Sequence, residues 1–205
     1  MVLESSPTET LSRGEASQFL AQASARARMA NLTERFLTGE LSEARWARLM
    51  QTEIREAATT SFLVGYESQS GRSIGRLSDL PGPAQREAVG FINSQIRYFT
   101  NWRNDLLVRA GFDAANIPSV LSARDVTRGM MYGSATDGAF NKGKVTAAEE
   151  TGGALIWWRL RPAEHCISCV ALAGASPFTP YALPTEPGAG DTECRTNCQC
   201  FLEFA

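Results

Sequence analysis

Five cysteines have the clearest capacity for chemistry in this sequence, and all lie after residue 165: Cys166-x2-Cys169, a gap of 24 residues, then Cys194-x3-Cys198-x-Cys200. A C-x2-C turn can direct two thiolates to one point, and a second cluster a loop away can complete the tetrahedral site that zinc requires. Four of the five thiols suffice for such a site. The intervening Pro177, Pro180, Pro184, Pro187, Gly188 and Gly190 leave little from which to build an apolar core, so the loop needs metal or disulfides to fix it. The spacing leaves zinc, disulfides and reduced buried thiols open.

Other chemistries find weaker support. A redox dithiol at Cys166-Ile-Ser-Cys169 belongs after a strand, at the opening of a helix, in an α/β chain, and the βαβ context is missing. His165 is the only histidine and adjoins Cys166, where the backbone hinders a productive pairing, so it reads as a surface residue or a spare metal donor. Walker A, dinucleotide and His-Glu-x-x-His motifs do not occur. Glu149, Glu150 and Asp137 read as a solvated edge rather than paired carboxylates, because adjacent side chains diverge. Trp157-Trp158 reads as one buried indole with a neighbour facing a partner or solvent. No nucleophile with a base stands out, so an enzyme is not expected.

These residues need a frame, and the preceding sequence predicts a mainly α fold: a bundle-like helical body over 11–150 after a loose arm at 1–10, then a cysteine-rich module over 151–205. Ser12-x-x-Glu15 is a capping box that starts a helix running to about Leu37. Trp46, Leu49, Met50, Ile54, Ala57 and Ala58 recur at helical spacing and predict a helix from Ser42 to about Gly65. A polar connection follows, ending in Pro81-Gly82-Pro83. Val89, Ile92, Ile96, Phe99, Trp102 and Leu106 mark the next helix, to Arg109, with a seam that suits the internal core or a partner helix equally.

A helix from about Ser119 to Phe140 carries Gly129, Gly133, Ala135, Gly138 and Ala139, each glycine costing about 1 kcal/mol against alanine unless another backbone packs closely there. Residues 154–160 predict a strand stopped by Pro162, and the remainder to residue 200 reads as loop with turns.

A chain of 205 residues accommodates one domain with a small appended module. A formal charge of -2 supplies no general attraction for nucleic acid or anionic membrane. Neither a basic-then-apolar leader nor a membrane-length apolar run is present, which predicts a protein made in the cytoplasm.

The tail Trp158-Arg-Leu-Arg-Pro-Ala-Glu-His-Cys166-x2-Cys169-x2-Leu172-Ala173, followed by Leu183-Pro-Thr-x-Pro-Gly-x-Gly-Asp-Thr-x-Cys194-x3-Cys198-x-Cys200, resembles the phage head morphogenesis family, the minor head proteins of tailed phages and prophages. Upstream, Phe36-Leu-Thr-Gly-Glu-Leu-Ser-x3-Trp46-x3-Met50 and Arg128-Gly-Met-Met-Tyr132-Gly resemble that family's helical body, so the likeness spans roughly 30–204. Many relatives place a histidine just before the last Cys-x-Cys, where this chain has Cys194 and Arg195. The resemblance therefore leaves two zinc ligand sets: Cys166, Cys169, Cys194 and one of Cys198 or Cys200, or the four outer cysteines without Cys194.

The family likeness implies a virion protein of the head or neck without enzymatic chemistry, present in several copies. Portal or major capsid subunits would be its partners, and the five cysteines, Trp157 and Trp158 would carry the role. The alternative is a zinc-dependent nucleic-acid-binding module near the packaged genome, with Arg159, Arg161 and Arg195 meeting phosphates.

Overall fold

The computed structural model of the chain describes residues 13–152, 154–195 and 198–205, and every structural statement below concerns those residues. The predicted arm at 1–10 and the Ser12 cap lie outside them. Six helices and two short strands follow in the order α1 (Arg13–Leu37), α2 (Glu43–Ser70), α3 (Gly82–Arg109), α4 (Ile117–Val120), α5 (Ala123–Thr151), β1 (Ile156–Arg159), α6 (Ile167–Ala175) and β2 (Phe201–Phe204). The chain is thus mainly α, a helical body followed by a small sheet and a cysteine cluster, as the sequence predicts.

The body is built on α5, which packs most extensively on α2 and then on α1, while α3 closes the bundle against α2 and α5. Trp46 is fully buried at one end, stacked on Phe36 with centroids 4.6 Å apart and edge-on to Phe99 and Trp102 at 5.5 and 5.7 Å. Such edge and stacked geometries suit the aromatic quadrupole, beyond the area they remove from water. Phe99 and Trp102 therefore belong to the protein's own core, which decides the question the α3 seam left open. Val89, assigned to that seam by spacing, is 42% exposed instead, and Ala84 and Ala88 take the buried positions one turn apart.

Helix α2 does not stop at Gly65 but continues to Ser70, because Gly65 is a contact rather than a cap. A Cβ there would lie 2.0 Å from the Phe140 carbonyl oxygen of α5. The helix ends at Gly71, whose φ of +69° is the left-handed conformation favoured at C-terminal stops. The connection to α3 is not wholly polar, since Ile74 and Leu80 tuck into a second core with Phe62, Tyr66 and Ile92.

Beyond α3, the helix expected at 119–140 is two elements. Its first turn is separate as α4, and α5 begins after Ser122, whose hydroxyl and backbone amide trade hydrogen bonds with Asp125 in a capping box. Helix α5 then runs eleven residues past Phe140. The extension is stabilised by burial of Val145, Ala147 and Ala148 and by Gly143, which lets the Phe62 backbone approach closely.

The C-terminal module departs most from expectation. The stretch read as loop contains α6, on which Cys169, Leu172 and Ala173 face one way at helical spacing, and β2 follows it. Strand β2 pairs antiparallel with β1, placing Ile156 opposite Phe204 and Trp158 opposite Leu202. A small core does form here, from Ile156, Trp158, Leu202 and Val145 of α5, and the thiols are part of it. Residues 181–191 are moored to the body: the Asn141 Nδ2 donates to the Pro187 carbonyl at 3.0 Å, and the Lys142 ammonium pairs with Glu186 at 3.3 Å and Glu87 at 3.1 Å.

Candidate metal centre

Three segments bring the five thiols together. Cys166 is the N-cap of α6 and Cys169 lies in its first turn, so one helical start delivers both. Cys194 arrives on the turn after Asp191, and Cys198 and Cys200 arrive on the extended approach to β2. Pairing of β2 with β1 fixes that approach, and Trp158 and Leu202 in register wall the site on the body side.

Cys169 is the hub, with its sulfur 3.4 Å from the Cys194 sulfur and 3.6 Å from that of Cys198. The sulfurs of Cys166, Cys169 and Cys194 lie within 4.8 Å of one another, as do those of Cys169, Cys198 and Cys200. All five cysteines are free, and the sulfur contacts given are well beyond the roughly 2 Å of an S–S bond. They match the edge of a thiolate tetrahedron, about 3.8 Å for metal–sulfur bonds of about 2.3 Å. The cluster can therefore hold a metal ion.

Electrostatics favour the same use. Burial alone would raise the Cys166 thiol, but hydrogen bonds from Ser168 and from Cys169 bring it down to about 6. The hydrogen bond from Cys200 pulls Cys198 down to about 5 against the cost of its burial. Cys169 is pushed above the ordinary thiol range by burial first and by the surrounding thiols next, and Cys200 is pushed up by its contact with Cys198. Two thiolates 3.6 Å apart repel by about 4–5 kcal/mol at an effective dielectric of about 20, so without a cation the sulfurs share protons rather than ionise together. A bound cation removes that obstacle.

Two further groups lie near the thiols: His165, read from the sequence as a surface residue or a spare metal donor, and Trp158. His165 does not pair with its neighbour Cys166; its Nδ1 faces the Cys200 sulfur at 3.6 Å, brought there by the return of the chain into β2. Its Nε2 lies 2.6 Å from the Arg161 carbonyl oxygen, to which Nε2–H donates, and this bond holds the ring with Nδ1 toward Cys200. The second is the Trp158 indole N–H, buried without a hydrogen-bond partner among the described residues, in the same small core as Cys200. A thiolate in this core would accept a hydrogen bond from it, so this buried donor fits an ionised cluster. Phe201-Leu202-Glu203-Phe204 is too short and does not alternate apolar with polar residues, so periodicity gave no signal for the strand that sets both contacts.

Trp158, grouped with Trp157 as a partner-facing residue, is 1% exposed inside its own module. Trp157 is the indole left at the surface, with the Arg159 guanidinium 4.9 Å above its ring. The three carboxylates read as a solvated edge diverge in fate. Asp137 is half-buried, its carboxyl raised by desolvation while it accepts from the Gln18 and Gln22 amides; Glu150 accepts from the Tyr66 hydroxyl, and Glu149 remains partly exposed. Asp137 lies in a cleft of about 480 Å³ that also opens onto Lys144, Arg161, Cys198 and Cys200. No described helix is long and apolar enough to cross a membrane. No protein-family model, curated protein or solved structure matches this chain.

Proposed function

We propose that the chain is a structural assembly protein of a tailed-phage head, a minor head or connector-region component in which the helical body carries a zinc-knit knob that docks on portal or capsid subunits. The observation that supports this reading is the convergence of five reduced thiols from three segments on one small core, beside the two family-like runs of sequence that supply them. Zinc is the metal proposed, because clustered thiolates at tetrahedral spacing are a structural zinc environment, with Cys166, Cys169 and Cys194 as ligands and Cys198 or Cys200 as the fourth. The role is assembly rather than catalysis, the site of action is the virion, and several copies act together. The half-buried Trp157 and the exposed Ile167 and Val170 of α6 are the apolar side chains this module offers a partner.

The test is co-expression with the portal and major capsid proteins of the same phage, followed by co-sedimentation of the full chain loaded with zinc. Association that is lost on replacing Cys169 with serine, while the free chain keeps its helical circular dichroism, supports the reading. No association with either partner, at one zinc per chain, overturns it.

A nucleic-acid module near the packaged genome is the second reading. It is favoured by Arg159 over Trp157 and Arg161 over the Phe201 ring at 5.4 Å, cation–aromatic edges of a kind on which bases stack. The pairing of Arg159 with Glu203 counts against it. A DNA mobility shift that weakens steeply with salt would select this reading.

A further inference from the structure

The thiols form two triples that meet at a single sulfur. Cys166, Cys169 and Cys194 make an outer seat in which the first and last are half-buried, and Cys169, Cys198 and Cys200 make an inner seat in which all three are buried. Zinc, which wants four ligands, can complete one tetrahedron from five thiols and leaves one sulfur over. Two tetrahedral ions sharing one sulfur would need seven ligands, and five thiols plus the His165 Nδ1 make six. Two three-coordinate ions sharing one sulfur need five, the number present.

We infer that the same cluster has a second metal stoichiometry: it seats two soft monovalent ions of the Cu(I) type, each held by three thiolates, with Cys169 bridging them. This rests on the metal-binding part of the proposed function and deepens it. Soft thiolates select Cu(I), whose filled d shell accepts trigonal coordination, and triples with all sulfurs within 4.8 Å can close around such an ion with side-chain adjustment alone. Filling both seats makes six copper–sulfur bonds, two of them at the bridging Cys169; the protons still held by the five thiols leave to solvent, and no electron is transferred.

Five thiolates and two monovalent ions leave a net charge of -3 on the cluster. Arg26, Lys144 and Arg161 line the cleft onto which Cys198 and Cys200 open, against one carboxyl, Asp137, so basic side chains outnumber acidic ones beside this charge. The unpartnered Trp158 indole N–H, buried in the same small core as Cys198 and Cys200, is a donor available to the inner thiolates.

The test is an anaerobic titration of the reduced, metal-free full chain with Cu(I), against a chromophoric competitor, with native mass spectrometry reading the ions per chain. A parallel titration with Zn(II) runs on the same protein. Saturation at two coppers and one zinc is expected. Cys194→Ser is expected to hold one copper, Cys198→Ser one, and Cys169→Ser, lacking the shared sulfur, fewer than one at the same competitor concentration.

Saturation of the wild-type chain at one copper, or at more than two, overturns the inference. So does a Cys169→Ser chain that still holds two. One zinc with one copper would refute the two-seat reading while leaving the zinc site intact, whereas failure to bind either metal would refute both. Should Cys169→Ser lose its helical signal, the Cys194→Ser and Cys198→Ser chains decide the matter, since each must fall from two to one.

Discussion

Replacing Gly143 with alanine sets two effects of opposite sign against each other at the centre of the bundle. In an exposed helix the change stabilises by about 1 kcal/mol, because alanine loses less backbone freedom on folding. Here the new Cβ would sit 2.2 Å from the Phe62 carbonyl oxygen and 2.8 Å from the Tyr66 amide nitrogen, where ordinary contact begins at 3.4 Å. The shortfall is about 1 Å, and both neighbours are helical backbone that cannot rotate aside, so α2 must retreat from α5 along the largest interface in the protein. Retreat also opens the reciprocal contact of Gly65 with Phe140.

A gap of 0.5–1 Å forfeits about a quarter to a half of each dispersion contact, and overpacking costs about 1–3 kcal/mol or more, which exceeds the propensity gain. The expected net loss is about 2 kcal/mol, or a fall in Tm of roughly 4–8 °C for a chain of this size. Gly90 on α3 supplies the control: nothing lies within 4 Å of its virtual Cβ, so Gly90→Ala is expected to stabilise by about 0.5–1 kcal/mol. Thermal and urea unfolding followed by far-ultraviolet circular dichroism, at equal metal load, measures both. A Gly143→Ala protein as stable as the wild type would refute the close helix contact on which the packing account depends.

Asp125 gives a pH prediction. Burial works to raise its carboxyl, but the Arg109 guanidinium, the Ser122 amide and hydroxyl and the Trp102 indole N–H outweigh it and hold it well below its ordinary 3.8. A depressed carboxylate stabilises the fold fully above the unfolded value and loses that contribution as pH falls through the folded one. Asp125→Asn should therefore destabilise by about 1–2 kcal/mol at pH 7, with the deficit shrinking below about pH 4; urea midpoints across pH 2.5–7 check this, and a deficit that grew on acidification would contradict it. Chelation should act locally, since the aromatic cluster around Trp46 contains none of the cysteines. Hydrogen exchange after metal removal is expected to quicken at 156–159, 167–175 and 201–204 and stay unchanged at 46–66 and 92–106, and uniform quickening would show that the body depends on the cysteine cluster.

Local pattern alone determined the helical class, the Trp46 and Trp102 stripes and the cysteine constellation, because a 3.6-residue apolar period and a C-x2-C spacing are properties of adjacent residues. It could not determine where α2 and α5 end. Gly65 and Gly143 look like helix breakers until the partner backbone that fills their missing side chains is known. Helix α6 and strand β2 were hidden for a related reason: their runs are short, and their stability comes from Trp158, Leu172 and the thiols meeting in one core rather than from propensity.

The cysteine positions were legible, but their division into two triples around Cys169 was not, nor was the turn of His165 toward Cys200 instead of its neighbour Cys166. The second follows from the antiparallel pairing of residues 156–159 with 201–204, and the first from that pairing together with the start of α6 and the turn that carries Cys194, contacts between distant segments that no spacing rule encodes. Tertiary closure fixes which donor meets which, because a thiol is held by the segment that carries it and a coordination shell needs several segments at one point.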